Sequence, residues 1–278
     1  MAVNINSLHA RLLNLAHEKN IDWQILLNRL AAEQFLYRLS LSPYADKFIF
    51  KGGSLLFYLI DSDRKTKDLD FSIHEVGNQV EAIVAIIKAV VATPLDDGIT
   101  WGTIEGAPLE HPDMDESGVR IACRFLFGKA KGVVRLDMAL GDVVEAIRMP
   151  LPRMQYKNEP IFGEPFSLLV YPPETVFAEK FQIALKKGGQ NTRMKDYYDL
   201  ARLIDHGLDA RKVRRCVQDV LQHRGMPLTT QLTFDEVESS QLQTYWEHFL
   251  KRERMTSAPA RIGVIIDKVN AYLKKIYA

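Results

Sequence analysis

Apolar residues recur at helical spacing in two stretches near the start of the chain, from about Ile5 to Lys19 and from Trp23 to Leu39. The second runs as Trp23, Leu26, Leu27, Leu30 and Ala31, continued by Phe35, Leu36 and Leu39, so two N-terminal helices are expected. Phe48, Ile49 and Phe50 form a short apolar run that stops at Gly52-Gly53, after which Leu55 to Ile60 has helical character. This reads as strand, turn, helix. Asp68-Leu69-Asp70-Phe71-Ser72-Ile73 alternates polar with apolar, as a strand with one wet face does. A helix at about 78–92 precedes three β-rich runs near Ile99–Pro108, Val119–Phe127 and Val133–Leu140. The gaps between these runs are too short for crossover helices, so the sheet there should be largely antiparallel.

From Pro172 onward the pattern is helical. Pro172-Pro173-Glu174 marks the start of a helix over Thr175–Lys187, which Gly188-Gly189 ends. Further helices are expected at Lys195–Asp205, Asp209–Gln222, Phe234–Leu250 and Ala260–Tyr277. The fold class that follows is α+β and bilobed. The N-terminal lobe, residues 1–168, has a mixed, largely antiparallel sheet, and the C-terminal lobe, 169–278, is all-helical, with the boundary near Glu164–Pro173. A cleft between two such lobes is the usual place for a ligand.

Composition narrows the class. The 278 residues are 47% hydrophobic and 26% charged, which fits a globular protein and excludes disorder and collagen. Cys123 and Cys216 are the only cysteines and are far apart, so no disulfide framework or CxxC site can be argued and a reducing cytoplasm is expected. The longest apolar stretch, AIVAIIKAVVA, is broken by Lys88 and is too short for a membrane span. Charge is uneven: from Tyr171 onward there are 18 Lys+Arg against 13 Asp+Glu, and before it 18 against 22. That division suits a first part holding divalent cations and a second part holding phosphates.

The most informative chemistry lies in Lys51-Gly52-Gly53-Ser54 and, beyond it, Asp68-Leu69-Asp70. Two glycines let backbone N–H groups approach an anion, a serine hydroxyl adds a donor, and the following helix presents its positive end. Residues i and i+2 of a strand share a face, so Asp68 and Asp70 set two carboxylates side by side. Like charges that close suit Mg²⁺ carrying a nucleotide's phosphates. Taken singly, a Gly-Gly turn is most often a turn and a DxD on a strand edge most often a solvated face. Taken in this order, glycine pair, serine, short helix and DxD strand resemble the triphosphate–metal site of the DNA polymerase β-like nucleotidyltransferases. There is no GxxxxGK[ST], HRD or DFG to support a P-loop or protein-kinase reading.

A third carboxylate is usual in that superfamily, on a neighbouring strand. Asp137, a polar residue in the mostly apolar run Val133–Leu140, has that setting, with Asp142 as its competitor; the plain alternative for Asp137 is a pairing with Arg135 or Arg120. A second cluster lies in the helical part. Val176, Phe177, Phe181 and Ala184 form a buried stripe with Lys180 near its margin, and Lys195, Asp199 and Arg202 share a face of the next helix. Alone, that would be a helix-surface ion pair worth a few tenths of a kcal/mol.

KGG-S, RKTKDLDF (Arg64 to Phe71), the AEKFQIAL helix and the RMKDYYDL segment occur in an order that resembles the AbiEii/AbiGii-type nucleotidyltransferase toxins of abortive-infection toxin–antitoxin pairs, the MenT-like enzymes included. The resemblance covers about Phe48 to Ile204, and its RxKDxxDL motif separates this family from other polymerase β-like proteins. It implies a bilobed enzyme that uses a nucleoside triphosphate and Mg²⁺ to transfer nucleotides to RNA, at the 3′ end of tRNA, and that is restrained by a cognate antitoxin. It also implies site roles. Lys51, Gly52, Gly53 and Ser54 would bind the phosphates, and Asp68 and Asp70 would hold Mg²⁺. Lys180, Arg193 and Lys195 would meet the triphosphate from the helical part. Asp196 and Asp199 are the acids of the late motif, and which of them faces the nucleotide is left open. Asp137 as third catalytic and metal-binding acid rests on the strand reading alone.

Two other readings compete. One is nucleotidylation or phosphorylation of a protein hydroxyl, the antitoxin's included. The other is a non-catalytic protein that holds RNA or a partner through its basic half, against which the acid pair argues. His74, His111, His206, His223 and His248 show no zinc-ligand spacing, and no GxSxG surrounds Ser54.

Overall fold

The structure is a computed structural model of the chain, and it describes residues 4–60, 68–77, 79–109, 118–140 and 145–278. In chain order the elements are α1 (Ile5–Glu18), α2 (Trp23–Leu41), β1 (Phe48–Lys51), α3 (Gly52–Ile60), β2 (Asp68–Ile73), α4 (Val80–Val91), β3 (Ile99–Leu109), β4 (Gly118–Phe127) and β5 (Ala130–Leu140). There follow β6 (Ile147–Leu151), β7 (Gln155–Tyr156), β8 (Glu159–Pro160), β9 (Phe166–Val170), α5 (Pro173–Lys187), α6 (Met194–His206), α7 (Ala210–His223), α8 (Glu236–Glu253) and α9 (Ile262–Tyr277). The chain divides after Tyr171 into two compact units, the second of which also takes in the end of α3 from Leu59.

The first unit is built on a seven-stranded sheet of order β3-β4-β5-β2-β1-β9-β6. Its β3-β4-β5 part is antiparallel, as the short gaps require, whereas β5 runs parallel to β2 and β9 parallel to β1. The fold is therefore the expected mixed one. The strands β6 to β9 go beyond those the sequence pattern predicts: Pro150 disguises β6, which lies at the sheet edge where a proline costs no ladder bond.

Alternation along β2 decides which face does what. Leu69, Phe71 and Ile73 are buried, and Phe71 packs against Phe35 of α2 and against Phe48 and Phe50 of β1. Asp68 and Asp70, one residue out of step, belong to the other face. The α2 helix starts at Asp22, whose carboxylate accepts from the backbone N–H groups of Gln24 and Ile25. Unusually, it also buries Glu33, Gln34 and Arg38. Arg38 pairs with buried Asp97 at 2.5 Å, and Glu33 accepts from the backbone N–H of Met154 at 2.6 Å.

The second unit is helical. The α5 helix opens with a proline in its first turn, where the missing N–H costs nothing, and closes at Gly188 with φ 52°. Its core joins Phe177 and Phe181 of α5, stacked 6.4 Å apart, to Tyr272 of α9, while Tyr198 of α6 meets Phe249 of α8. Asp235 and Glu238 form a reciprocal capping box at the start of α8.

Candidate active site

The turn from β1 into α3 is made at Gly52, whose φ of 72° is a conformation side chains disfavour. Space demands glycine there as well: a Cβ would overlap the carboxylate of Asp70. Two residues on, the Ser54 hydroxyl donates to the backbone carbonyl of Asp68. The diglycine bend and the DxD strand, separate in the chain, thus meet at one place. The first N–H groups of α3 open there, and a helix start has no intrahelical acceptors for them.

Register then assembles the charges. Asp70 is aligned with Lys51 of β1 on one side and with Asp137 of β5 on the other, and Asp137 is aligned in turn with Arg120 of β4. Aligned residues of adjacent strands share a face, so Lys51, Asp70, Asp137 and Arg120 form one row across four strands: cation, acid, acid, cation. Asp68 lies one step along the same face, aligned with Arg135. Arg120 grips Asp137 with two parallel bonds, Nε to Oδ1 at 2.7 Å and Nη2 to Oδ2 at 2.6 Å. Those bonds raise its pKa above the ordinary arginine value, and Asp68 and Asp70 add to the pull. Lys51 also sits 5.0 Å from the centre of the Tyr171 ring.

The sequence named Arg120 only as a partner that could occupy Asp137. The structure makes that pairing, and among the described residues no three His, Cys, Asp or Glu side chains gather around one point. Asp137 therefore stands beside Asp70 in register and is held there by Arg120. What would have found Arg120 is its position opposite Asp137, visible once β4 and β5 are paired by their alternation. Asp142, Arg64 to Lys67 and His111 lie outside the described residues.

In the second unit the late motif folds inward. Lys180 of α5 places its Nζ 2.7 Å from Asp196 Oδ1 and 2.8 Å from Asp199 Oδ2, and Arg193, the residue that precedes α6, holds Asp196 Oδ2 at 2.6 Å. Both acids are fully buried and Lys180 nearly so. Burial alone would push the Asp196 carboxyl up, but Lys180 and Arg193 outweigh it and hold the group well below the usual carboxylate range. The expectation of a margin lysine and a surface ion pair is thus corrected: Lys180, Asp196 and Asp199 form an interior network, and both acids of the motif face the same ammonium. Helical period alone cannot show this, because the partners of Lys180 come from another helix. Lys195 is exposed. Both cysteines are free, and burial pushes the Cys123 thiol up to about 12.

In fold, the chain is similar to the crystal structure of JHP933 from Helicobacter pylori, with TM-score 0.53 and 15% identity over 91% of this chain and 92% of that one. It is likewise similar to a candidate nucleotidyltransferase of H. pylori, with TM-score 0.51 and 14% identity over 92% and 96%. No curated protein matches it in sequence. A sequence model described as the nucleotidyl transferase AbiEii toxin of type IV toxin–antitoxin systems matches residues 34–273, and the chain therefore belongs to the AbiEii family of nucleotidyltransferase toxins.

Proposed function

We propose that this toxin transfers a nucleotide from a nucleoside triphosphate to the hydroxyl at the 3′ end of a tRNA, with Mg²⁺ as its metal, and so blocks translation in the cytoplasm until its antitoxin partner restrains it. The observation that carries the reading is the row of Lys51, Asp70, Asp137 and Arg120 beside the bend at Gly52 and Ser54. It puts acids able to hold a metal next to backbone donors able to hold phosphates.

The donors fit the metal. Mg²⁺ favours hard oxygens and is commonly held by one or two carboxylates together with the phosphates of its substrate, not by a cage supplied wholly by protein. Asp68 and Asp70 on one face, without a gathered third acid among the described residues, answer that description. When bound, Mg²⁺ would neutralise charge on the reacting phosphate oxygens. The residues of the chain do the rest. The acceptor oxygen forms a bond to the α-phosphorus, the bond to the β-phosphate oxygen breaks in line, and pyrophosphate leaves toward the N–H groups of Gly53 and Ser54. Asp137, fixed by Arg120, takes the proton of the attacking hydroxyl. In the helical unit Asp196 and Asp199 fix the position of Lys180, and Arg193 holds Asp196.

The test is to incubate purified protein with tRNA and each labelled triphosphate, with and without Mg²⁺, beside Asp70→Ala. Loss of a ligand worth several kcal/mol should slow labelling roughly a thousandfold or more. A variant that labels tRNA as fast as the parent overturns the site, and label on protein instead of RNA overturns the acceptor.

A further inference from the structure

The positive excess of the C-terminal half is not spread over the helical unit. In the interior network two cations meet two acids, so it contributes no net charge. On the outside, α7 is sharply divided. Val213, Val217 and Leu221 face the core, while Arg211, Lys212, Arg214 and Arg215 are all exposed. Against these four cations stand two acids, Asp219 in a 3.6 Å pair with Arg215, and the N-cap Asp209, whose carboxylate is engaged by the backbone N–H groups of Arg211 and Lys212, so the six cations of α7 and the end of α9 keep a clear excess. The end of α9 extends the patch. The Tyr277 hydroxyl donates to the Arg214 carbonyl at 3.1 Å, and the Arg214 guanidinium lies 5.3 Å from the Tyr277 ring. This joins the exposed Lys274 and Lys275 to the same surface.

We infer that this α7–α9 face is a docking surface for the phosphate backbone of RNA, a reading that rests on the RNA acceptor proposed above. Charge sign alone would also admit an acidic protein; the make-up of the face selects RNA. A protein interface has an apolar centre with large anchoring side chains. None of the large exposed apolar residues of the described chain lies on α7 or on the C-terminal half of α9. What the face offers is guanidinium forks, ammonium groups and the exposed amides of Gln218 and Gln222. These are donors suited to phosphate oxygens and contacts that carry no base sequence. Such a face would hold many RNAs by their backbone and leave the choice of acceptor to the site of transfer.

The experiment measures anisotropy of fluorescein-labelled bulk tRNA, without nucleotide, over a salt series. The parent is compared with the triple variant Arg211→Gln, Lys212→Gln, Arg215→Gln and with the charge-keeping pair Arg211→Lys, Arg215→Lys. Glutamine suits an exposed helix position, and Arg214 with its tyrosine contact is left in place. The triple variant should bind tRNA at least about tenfold more weakly at low salt, with the slope of log affinity against log salt reduced by about 2 to 3. The lysine pair should stay close to the parent, and all three proteins should melt together. Unchanged affinity and slope in the triple variant overturn the surface. So does unchanged RNA affinity with weakened inhibition by the antitoxin, which would assign the face to the protein partner. A parent that binds no tRNA at any salt overturns it too. Because binding is read without turnover, failure of the α7–α9 face is distinguishable from failure of the transfer reading, which is judged by label alone.

Discussion

Two regions of this molecule are made of the same three residue types and behave in opposite ways. On the sheet of the first unit, Lys51, Asp70, Asp137 and Arg120 stand in a line whose acids are only partly covered, with Asp137 keeping 17% of its side chain exposed and Arg120 46%. In the helical unit, Lys180, Arg193, Asp196 and Asp199 are matched two against two, and both carboxylates are at 0%. A buried charge is tolerated only when paired at short range, and once paired it is costly to disturb. A charge left near water costs little to keep and can exchange one partner for another. The helical cluster is thus suited to fixing a framework, and the sheet row to receiving a charged ligand.

The sharpest way to break that contrast is to remove one member from each. Lys180→Met withdraws the ammonium that two buried carboxylates share and should cost about 3 to 5 kcal/mol in denaturant unfolding. Asp70→Asn removes charge from a half-covered row and should move stability by about 0.5 kcal/mol or less while transfer collapses. If the two variants unfold alike, the distinction between framework and reactive row is lost.

Gly52→Ala tests the row from its other side. The added methyl meets the Asp70 carboxylate in a backbone conformation already unfavourable to alanine, so about 2 kcal/mol of stability should go together with activity. A fully active alanine variant with an unchanged melting point would show that the contact of Gly52 with Asp70 is dispensable.

A third acid sharpens the comparison, because burial without a cation at short range reverses the sign. Glu33 lies 3.4 Å from the Arg153 guanidinium, and burial outweighs that pairing and the Met154 N–H to push its carboxyl up to about 7. A carboxyl raised on folding binds protons that the unfolded chain has already released, so stability should fall as pH rises from about 4.5 to 7. Asp196, lowered on folding, does the reverse: its contribution is present above the ordinary carboxylate range and is lost as pH falls below about 4. Glu33→Gln should remove the first dependence, on the order of 3 kcal/mol at pH 8, and leave the acid-side loss intact in urea titrations at several pH values. Parallel pH profiles for parent and variant would mean that Glu33 ionises as freely folded as unfolded.

What the chain disclosed beforehand follows the physics of each feature. The helices and the strands β1 to β5 declare themselves, because their apolar periods of 3.6 and 2 reflect one buried side each. Asp68 and Asp70 are legible for the same reason, being the wet half of an alternation. The strand β9 carries that signal too: Phe166, Leu168 and Val170 are buried and Ser167 is exposed. Its place at the joint between strand-rich and helical sequence, within the expected boundary of Glu164–Pro173, masks it. The grip of Arg120 on Asp137 depends on the pairing of β4 with β5, and the burial of Lys180 depends on α6 covering α5, so neither can be read from one segment alone.

The parallel seam between β2 and β5 has a consequence for the life of the toxin in the cell that makes it. Asp70 and Asp137 become neighbours only after α4, β3 and β4 have been laid down between them. Contacts this remote in sequence bear the entropy of closing a long loop before any bond rewards them, which makes them slow to form. A ribosome releasing this chain piecemeal therefore cannot set Asp70 beside Asp137 until β5 has emerged and found β2.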